Sequence, residues 1–333
     1  MQTSNIEAVN FIQYLAFVLL LLFVSGTTSA DYNPDANKQD ILILDNTLHD
    51  RDRDRDVPIR IYYPKSAEGK LPVILFSHGL GGSREGYGYL GRYWASHEYV
   101  SVHITHRGSD TEAAMANGPD QFKQTAEAIA SDPMNAVDRC KDVSFIIDQL
   151  TAANDDDKFP LKGRLDLSHI GMAGHSFGAN TTMLISGEQT RSGRSFADDR
   201  IKCAIVISPP VAVPKAMFER AYAGVKIPLF VMTGTKDDSP IGESKAADRR
   251  VPFDHVKDIP AFLITFDGGD HMLFANNNRR AKQPTDDRYH QLILQGSVAF
   301  FDAYLRSDES AKKWFSGGDF KKSVGDAGVF EQK

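Results

Sequence analysis

What most constrains this chain is the order of its apolar segments. PVILFSH (72–78), YVSVHITH (99–106), HIGMAGH (169–175), KCAIVIS (202–208), IPLFVM (227–232) and AFLITF (261–266) are short, apolar runs of the kind buried on both faces of a sheet. Helical periodicity occupies 88–97, 135–150, a stretch opening near Gly178, and 287–305 after the last strand. ILIL (41–44) and PIRIYYP (58–64) add two strands at the front. Strands alternating with amphipathic helices predict an α/β protein with a mostly parallel central sheet and helices on both faces. In open parallel sheets, ligands bind outside the carboxyl ends of the strands, so the chemistry belongs in the loops that follow them.

The 333 residues are 41% hydrophobic and 25% charged, with no internal repeat and no low-complexity linker, as in an ordinary globular protein. Net charge is −6 and Lys and Arg are scattered, which gives no nucleic-acid surface. The run FIQYLAFVLLLLFV (11–24), followed by small residues at Thr28 and Ala30, reads as a secretory signal cut after Ala30, though no Lys or Arg precedes it. An uncleaved anchor is the alternative, but the run is shorter than the roughly 20 residues a span needs. The expected organisation is a signal at 1–30, one catalytic domain at 31–316 and an extended tail at 317–333. The expected location is secreted or periplasmic, with no membrane insertion after cleavage. Cys140 lies in a helical pattern and Cys203 starts a strand, so both are expected as buried thiols. DRDRDRD (50–56) has Arg55 where a calcium loop needs Gly and Ile61 where it needs Glu, and is expected as a charged hairpin turn with self-pairing side chains.

One motif stands in a telling context. Gly174-His175-Ser176-Phe177-Gly178 joins an apolar strand to a helix. A side chain on so tight a turn needs glycine neighbours, because the backbone leaves no room for a Cβ. Ser176 is thus the candidate nucleophile, with the Phe177 N–H as one oxyanion donor. The second donor is expected from His78-Gly79-Leu80-Gly81-Gly82 after the third strand, with Leu80 as the residue. No G-x-G-x-x-G or Lys-Ser/Thr follows, which argues against a phosphate loop.

The base should follow the last core strand, where FDGGDHMLF supplies His271. The acid should follow a strand between Ser176 and His271. The strand ending at Ser208 continues Pro209-Pro210-Val211-Ala212, without an acid, whereas the strand ending at Met232 continues TGTKDD. Asp237 is favoured over Asp238, because Asp238 is followed by Ser239-Pro240, a helix-start signature beside which it is expected to be solvated. His103 and His106 fall on opposite faces of one strand, so they cannot chelate as a pair; His106 is expected at the pocket rim and His290 on a helix surface. No metal and no cofactor is implied.

FSHGLGGSREGYGYLGRYWASHEYVSVHITHRG (76–108), together with GHSFGAN, resembles the platelet-activating-factor acetylhydrolase-like branch of the α/β-hydrolases. The resemblance implies the α/β-hydrolase fold over most of 40–306, with Ser176 as nucleophile, His271 as base, and Leu80 and Phe177 at the oxyanion hole. In that branch the acid follows the earlier strand, where this chain has Pro209-Pro210. In this respect the chain is more similar to cutinase-like polyester hydrolases and to dienelactone hydrolase-like proteins, the latter with Cys as nucleophile where this chain has Ser176. Phospholipid specificity therefore does not carry over. The expected activity is hydrolysis of small or lipid-like carboxylic esters without a cofactor. A serine peptidase or amidase and a silent binding protein on the same fold are the alternatives. The short, proline-rich connection 209–226 leaves no room for a helical cap, so a shallow cleft is expected, walled by Met217, Phe218 and the 107–133 and 272–283 loops.

Overall fold

The computed structural model describes residues 31–36, 38–276 and 281–333, so the signal expected at 1–30 lies outside the described residues. In chain order the elements are β1 (Ile41–Asp50), β2 (Arg55–Pro64), β3 (Leu71–Ser77), α1 (Gly88–Ser96), β4 (Val100–Ile104), α2 (Thr111–Ala114), α3 (Phe122–Ser131) and α4 (Pro133–Ala153). They continue with β5 (Leu165–His175), α5 (Phe177–Ile185), β6 (Ile201–Ile207), α6 (Phe218–Tyr222), β7 (Leu229–Lys236), α7 (Val251–His255) and β8 (Ala261–Asp270). The chain closes with α8 (Asp286–Leu305), α9 (Glu309–Ser316), α10 (Asp319–Val324) and β9 (Gly328–Gln332). The strands form one sheet in the order β1-β2-β4-β3-β5-β6-β7-β8-β9. Pairing is parallel from β4 through β8 in that order, and antiparallel for β1 with β2, β2 with β4 and β8 with β9.

Helices cover both faces of the sheet, as its doubly apolar strands require. On one face α8 lays Phe300 and Phe301 against Phe76, Phe230 and Phe262, with Trp94 of α1 completing the cluster. On the other, Val143, Ile146, Ile147 and Leu150 of α4 pack on Val73, Leu75, Val102 and Met172. Asp132 caps α4 by accepting the Met134 N–H at 2.9 Å, and Pro133 occupies its first turn, where a missing N–H costs nothing. Cys140 and Cys203 are buried and unpaired with each other.

Four expectations change. The 317–333 stretch is not a loose tail: α10 buries Phe320 and Val324, and β9 pairs with β8 and buries Phe330. The region 107–133 is not a plain loop but carries α2 and α3, which bury only Ala114 and Ala126; so thin an apolar stripe leaves little periodicity to read. Ser239-Pro240 does not start a helix. The helical turn begins instead at Ala246, whose N–H donates to Asp238 Oδ1 at 3.0 Å. Finally, the 50–56 turn pairs outward as well as with itself: Arg53 binds Asp50 at 2.5 Å, but Arg53 and Arg55 both reach Asp142 of α4 at 2.8 Å.

Candidate active site

At the carboxyl end of β5 the chain turns sharply into α5. Ser176 sits at that turn with φ 56° and ψ −118°, a conformation that an L-residue adopts only when its surroundings enforce it. The enforcement is visible at the flanking glycines. A Cβ on Gly174 would meet the Gly178 carbonyl oxygen at 2.3 Å, and one on Gly178 would meet the Ser77 carbonyl oxygen at 2.0 Å. The strained serine is half-buried and lines a cleft of about 770 Å³, together with Leu80, Phe177 and His271.

On the other side of that cleft β7 and β8 end together. Asp237 is fully buried, and its Oδ1 lies 2.7 Å from His271 Nδ1. The Thr233 hydroxyl donates to Asp237 Oδ2 at 2.8 Å, so both carboxylate oxygens are engaged. This fixes the tautomer: the proton is on His271 Nδ1 and a lone pair remains on Nε2. The loop bearing His271 is held by Asp270 Oδ1, which accepts the Met272 and Leu273 N–H groups at 3.0 and 2.8 Å. Asp238 points away, with a side chain 60% exposed and paired only loosely with Lys245 at 3.5 Å. The structure thus brings Ser176, Leu80, Phe177, His271 and Asp237 to one end of the sheet and leaves Asp238 in solvent.

Three supporting residues escaped the sequence reading. His175, the second residue of the motif, has its Nε2 3.1 Å from the His271 carbonyl and its Nδ1 2.6 Å from the Tyr87 hydroxyl. It therefore donates to His271 and accepts from Tyr87; burial, with the charge of Arg249 nearby, holds it neutral, well below the usual imidazole range. Arg139 is wholly buried and ties the 78–82 loop to the elbow. Its guanidinium donates to the His78 carbonyl, to Ser109 Oγ at 2.9 Å and to Thr181 Oγ1 at 2.8 Å, and lies 4.8 Å from the Phe177 ring centre. Desolvation pushes its pKa down to about 9. Arg249, also buried, faces Asp237 and His271. No motif announces Arg139 or Arg249, and the motif leaves the His175 position open, because each acts on a neighbour brought close only by the fold.

A hydrogen-bonded Ser-His-Asp array lies beneath the 78–82 loop. Ser77 Oγ is 2.7 Å from His106 Nε2, and His106 Nδ1 is 3.0 Å from Asp142 Oδ2. All three residues are 0% exposed, so His106 is not at the pocket rim as expected but inside the protein. Burial and Arg139 press its pKa down to about 4, leaving it neutral. The His106 backbone N–H donates to His78 Nε2 at 3.1 Å, and His78 Nδ1–H returns to the Gly79 carbonyl at 2.6 Å. His290 is half-buried and 2.8 Å from the Leu273 carbonyl.

The cleft walls also differ from expectation. Met217 and Phe218 pack into the core around β6 and β7 instead of lining it. Its apolar walls come from Tyr87 and Tyr89 of the β3–α1 region, Phe122 of α3, Ile241, and Met272 after β8. The 209–226 connection forms only one short 3₁₀ turn and α6, so it supplies no helical cap. Among the described residues no cluster of His, Cys, Asp and Glu could hold a metal, and no helix is long and apolar enough to cross a membrane.

A family model described as platelet-activating factor acetylhydrolase, isoform II, matches residues 53–139, which include the 78–82 loop but none of Ser176, Asp237 and His271. A platelet-activating factor acetylhydrolase of Cavia porcellus is 25% identical over 307 residues, covering 78% of this chain and 63% of that protein. A putative phospholipase A2 of Schizosaccharomyces pombe is 27% identical over 168 residues, 40% of this chain and 38% of the relative. A platelet-activating factor acetylhydrolase of Canis lupus familiaris is 24% identical over 237 residues, 62% of this chain and 48% of the relative. The matches thus span less than two thirds of the length of these relatives. With the sheet order and the elbow, they show an α/β-hydrolase fold in a chain similar to platelet-activating factor acetylhydrolases.

Proposed function

We propose that the protein is a serine carboxylic-ester hydrolase with Ser176, His271 and Asp237 as its triad. One observation carries the reading: a serine strained onto a glycine-flanked elbow shares a cleft with a histidine whose Nδ1 is 2.7 Å from a buried carboxylate. Ser176 Oγ attacks the ester carbonyl while its proton passes to His271 Nε2. The resulting oxyanion is held by the backbone N–H groups of Leu80 and Phe177. His271 then gives its proton to the departing alcohol, leaving an acyl-serine. Water, deprotonated by His271, attacks that acyl group and releases the acid. Asp237 keeps the imidazole in the required tautomer and offsets the charge it gains.

The substrate reading is a small or lipid-like ester with a short acyl group of about two to six carbons, since a cleft without a cap buries a long tail poorly. Export through residues 1–30 belongs to the same reading, and N-terminal sequencing of secreted protein checks it. The deciding experiment measures kcat/KM from acetate to palmitate esters and against matched amides, with phosphonate labelling of the active serine. A short-acyl maximum and label on Ser176 are expected. A long-chain maximum overturns the acyl-length reading, and amide preference or label elsewhere overturns the esterase reading.

A further inference from the structure

Arg249 is an unusual neighbour for an Asp–His pair. Its side chain is 1% exposed, and its Nε donates to the Asp237 carbonyl at 3.1 Å while lying 3.6 Å from Asp237 Oδ1. Nη1 donates to the Ser208 carbonyl at 3.0 Å. Ser208 follows β6 with φ 53°, so one guanidinium joins the segments just beyond two adjacent strands. Nη2 lies 3.5 Å from His271 Nδ1. That nitrogen already carries the proton donated to Asp237, so the Nη2 contact is not a hydrogen bond but a cation held against the imidazole edge.

Resting on the triad reading above, we infer that Arg249 is a positioning residue for the Asp237–His271 pair: it clamps the two strand ends and sets a cation against the imidazole edge, opposite the Asp237 carboxylate. The sign follows from the charges facing His271. Asp237 in the β7–α7 connection favours the imidazolium, and the Arg249 cation opposes it at closer than 4 Å. The other ionisable neighbours are His175 from the elbow, which is held neutral, Asp270 beside His271, and Asp238 and Asp248 near Arg249. Asp238 is spent on the Ala246 N–H and Lys245, and Asp248 on the Lys245 N–H at 2.8 Å. Removing Arg249 leaves Asp237 unopposed at the ring, and the imidazolium gains.

The test uses the full chain with Arg249→Gln, which drops the charge but keeps a donor for one carbonyl, and Arg249→Lys, which keeps the charge but loses the fork. In Arg249→Gln the acid limb of kcat/KM is expected to move up by about one pH unit or more. In Arg249→Lys the limb is expected near the wild-type position, with kcat reduced roughly tenfold because the planar fork is lost. The ¹⁵N shifts of the His271 ring, titrated without substrate, should show the same upward move in Arg249→Gln. This readout stands even if no ester is turned over, a result that would sink the hydrolase reading alone. An unmoved ring titration in folded Arg249→Gln overturns the charge role. Should that variant fail to fold, an Arg249→Lys enzyme with wild-type kcat overturns the clamp, and one with a limb moved up by a unit overturns the charge role.

Discussion

The molecule holds two buried His-Asp pairs, linked at 3.0 and 2.7 Å, and a serine stands near each; only one of the two serines faces the cleft. Ser77–His106–Asp142 is linked at 2.7 and 3.0 Å, and its acid is further paired with Arg53 and Arg55. Yet Ser77 closes the regular strand β3, wholly buried, with no room for a carbonyl to approach it. Ser176 stands on a positive-φ turn in the cleft, followed by the N–H of Phe177 at the start of α5. On the proposed reading, what sets Ser176 apart from the structural Ser77 hydroxyl is therefore the elbow, the access and the neighbouring Phe177 N–H, not a histidine beside a buried carboxylate. The buried array has another use: through the His106 N–H and His78 it braces the loop that carries Leu80.

The sharpest way to break this comparison is to truncate both serines. Ser176→Ala is expected to lower kcat by about 10⁴-fold or more and to abolish phosphonate labelling, with the fold intact. Ser77→Ala should keep kcat within about tenfold of wild type, since it removes a hydroxyl remote from substrate. Comparable losses in the two variants would mean that the inner array takes part in turnover.

A second comparison concerns the paired acids. Asp237→Asn replaces the acceptor of the His271 Nδ1 proton with an amide, which permits the wrong tautomer; kcat should fall by about 10²- to 10⁴-fold. Asp238→Asn touches only an exposed side chain at the start of a 3₁₀ turn, and should cost less than about threefold. Steady-state kinetics on a short-acyl ester separates them, and a larger loss at Asp238 would reverse the assignment.

Much of this was readable from the residues. The sheet class follows from apolar strands such as PVILFSH and AFLITF, and the G-x-S-x-G turn announces Ser176 because steric exclusion at Gly174 and Gly178 is a local demand. The preference for Asp237 over Asp238 rested on a helix start at Ser239-Pro240 that the chain does not use, so the geometry favours the same residue for a different reason. His106 was misplaced because strand alternation says which face a side chain takes, not how deeply that face is covered by α4. Arg139 and Arg249 could not be read at all. Each is an unremarkable cation in a helical stretch until the fold brings carbonyl groups from remote loops around it. The β9 strand was missed because GVFEQ is too short to stand out from a tail, and becomes a strand only by pairing with β8.

The buried array and its neighbouring histidines also set how stability depends on pH. His106 is held neutral with a pKa near 4, His103 near 3, and His78 and His175 well below the ordinary value, in each case chiefly by burial. In the unfolded chain these rings titrate near their ordinary value of about 6.5. Above that pH neither state is protonated and the neutral rings carry no penalty. As pH falls below it, the unfolded chain takes up protons that the folded one refuses, and each such proton lowers stability by about 1.4 kcal/mol per pH unit. Asp142 works in the same direction only later, because His106 and Arg55 press its carboxyl down to about 2 and keep it ionised until strongly acidic solution. The melting temperature should therefore begin to drop below about pH 6, ahead of any contribution from Asp142. His106→Asn removes one of those four rings and leaves Ser77 and Asp142 short of a partner, so it should cost about 1–3 kcal/mol at pH 8 while flattening the acid limb. Denaturant melts of both proteins from pH 8 to pH 4 measure each effect. A wild-type stability that stays level down to pH 4 would mean that the four rings are protonated in the fold, and the inner array would then be a charged relay instead of a neutral brace.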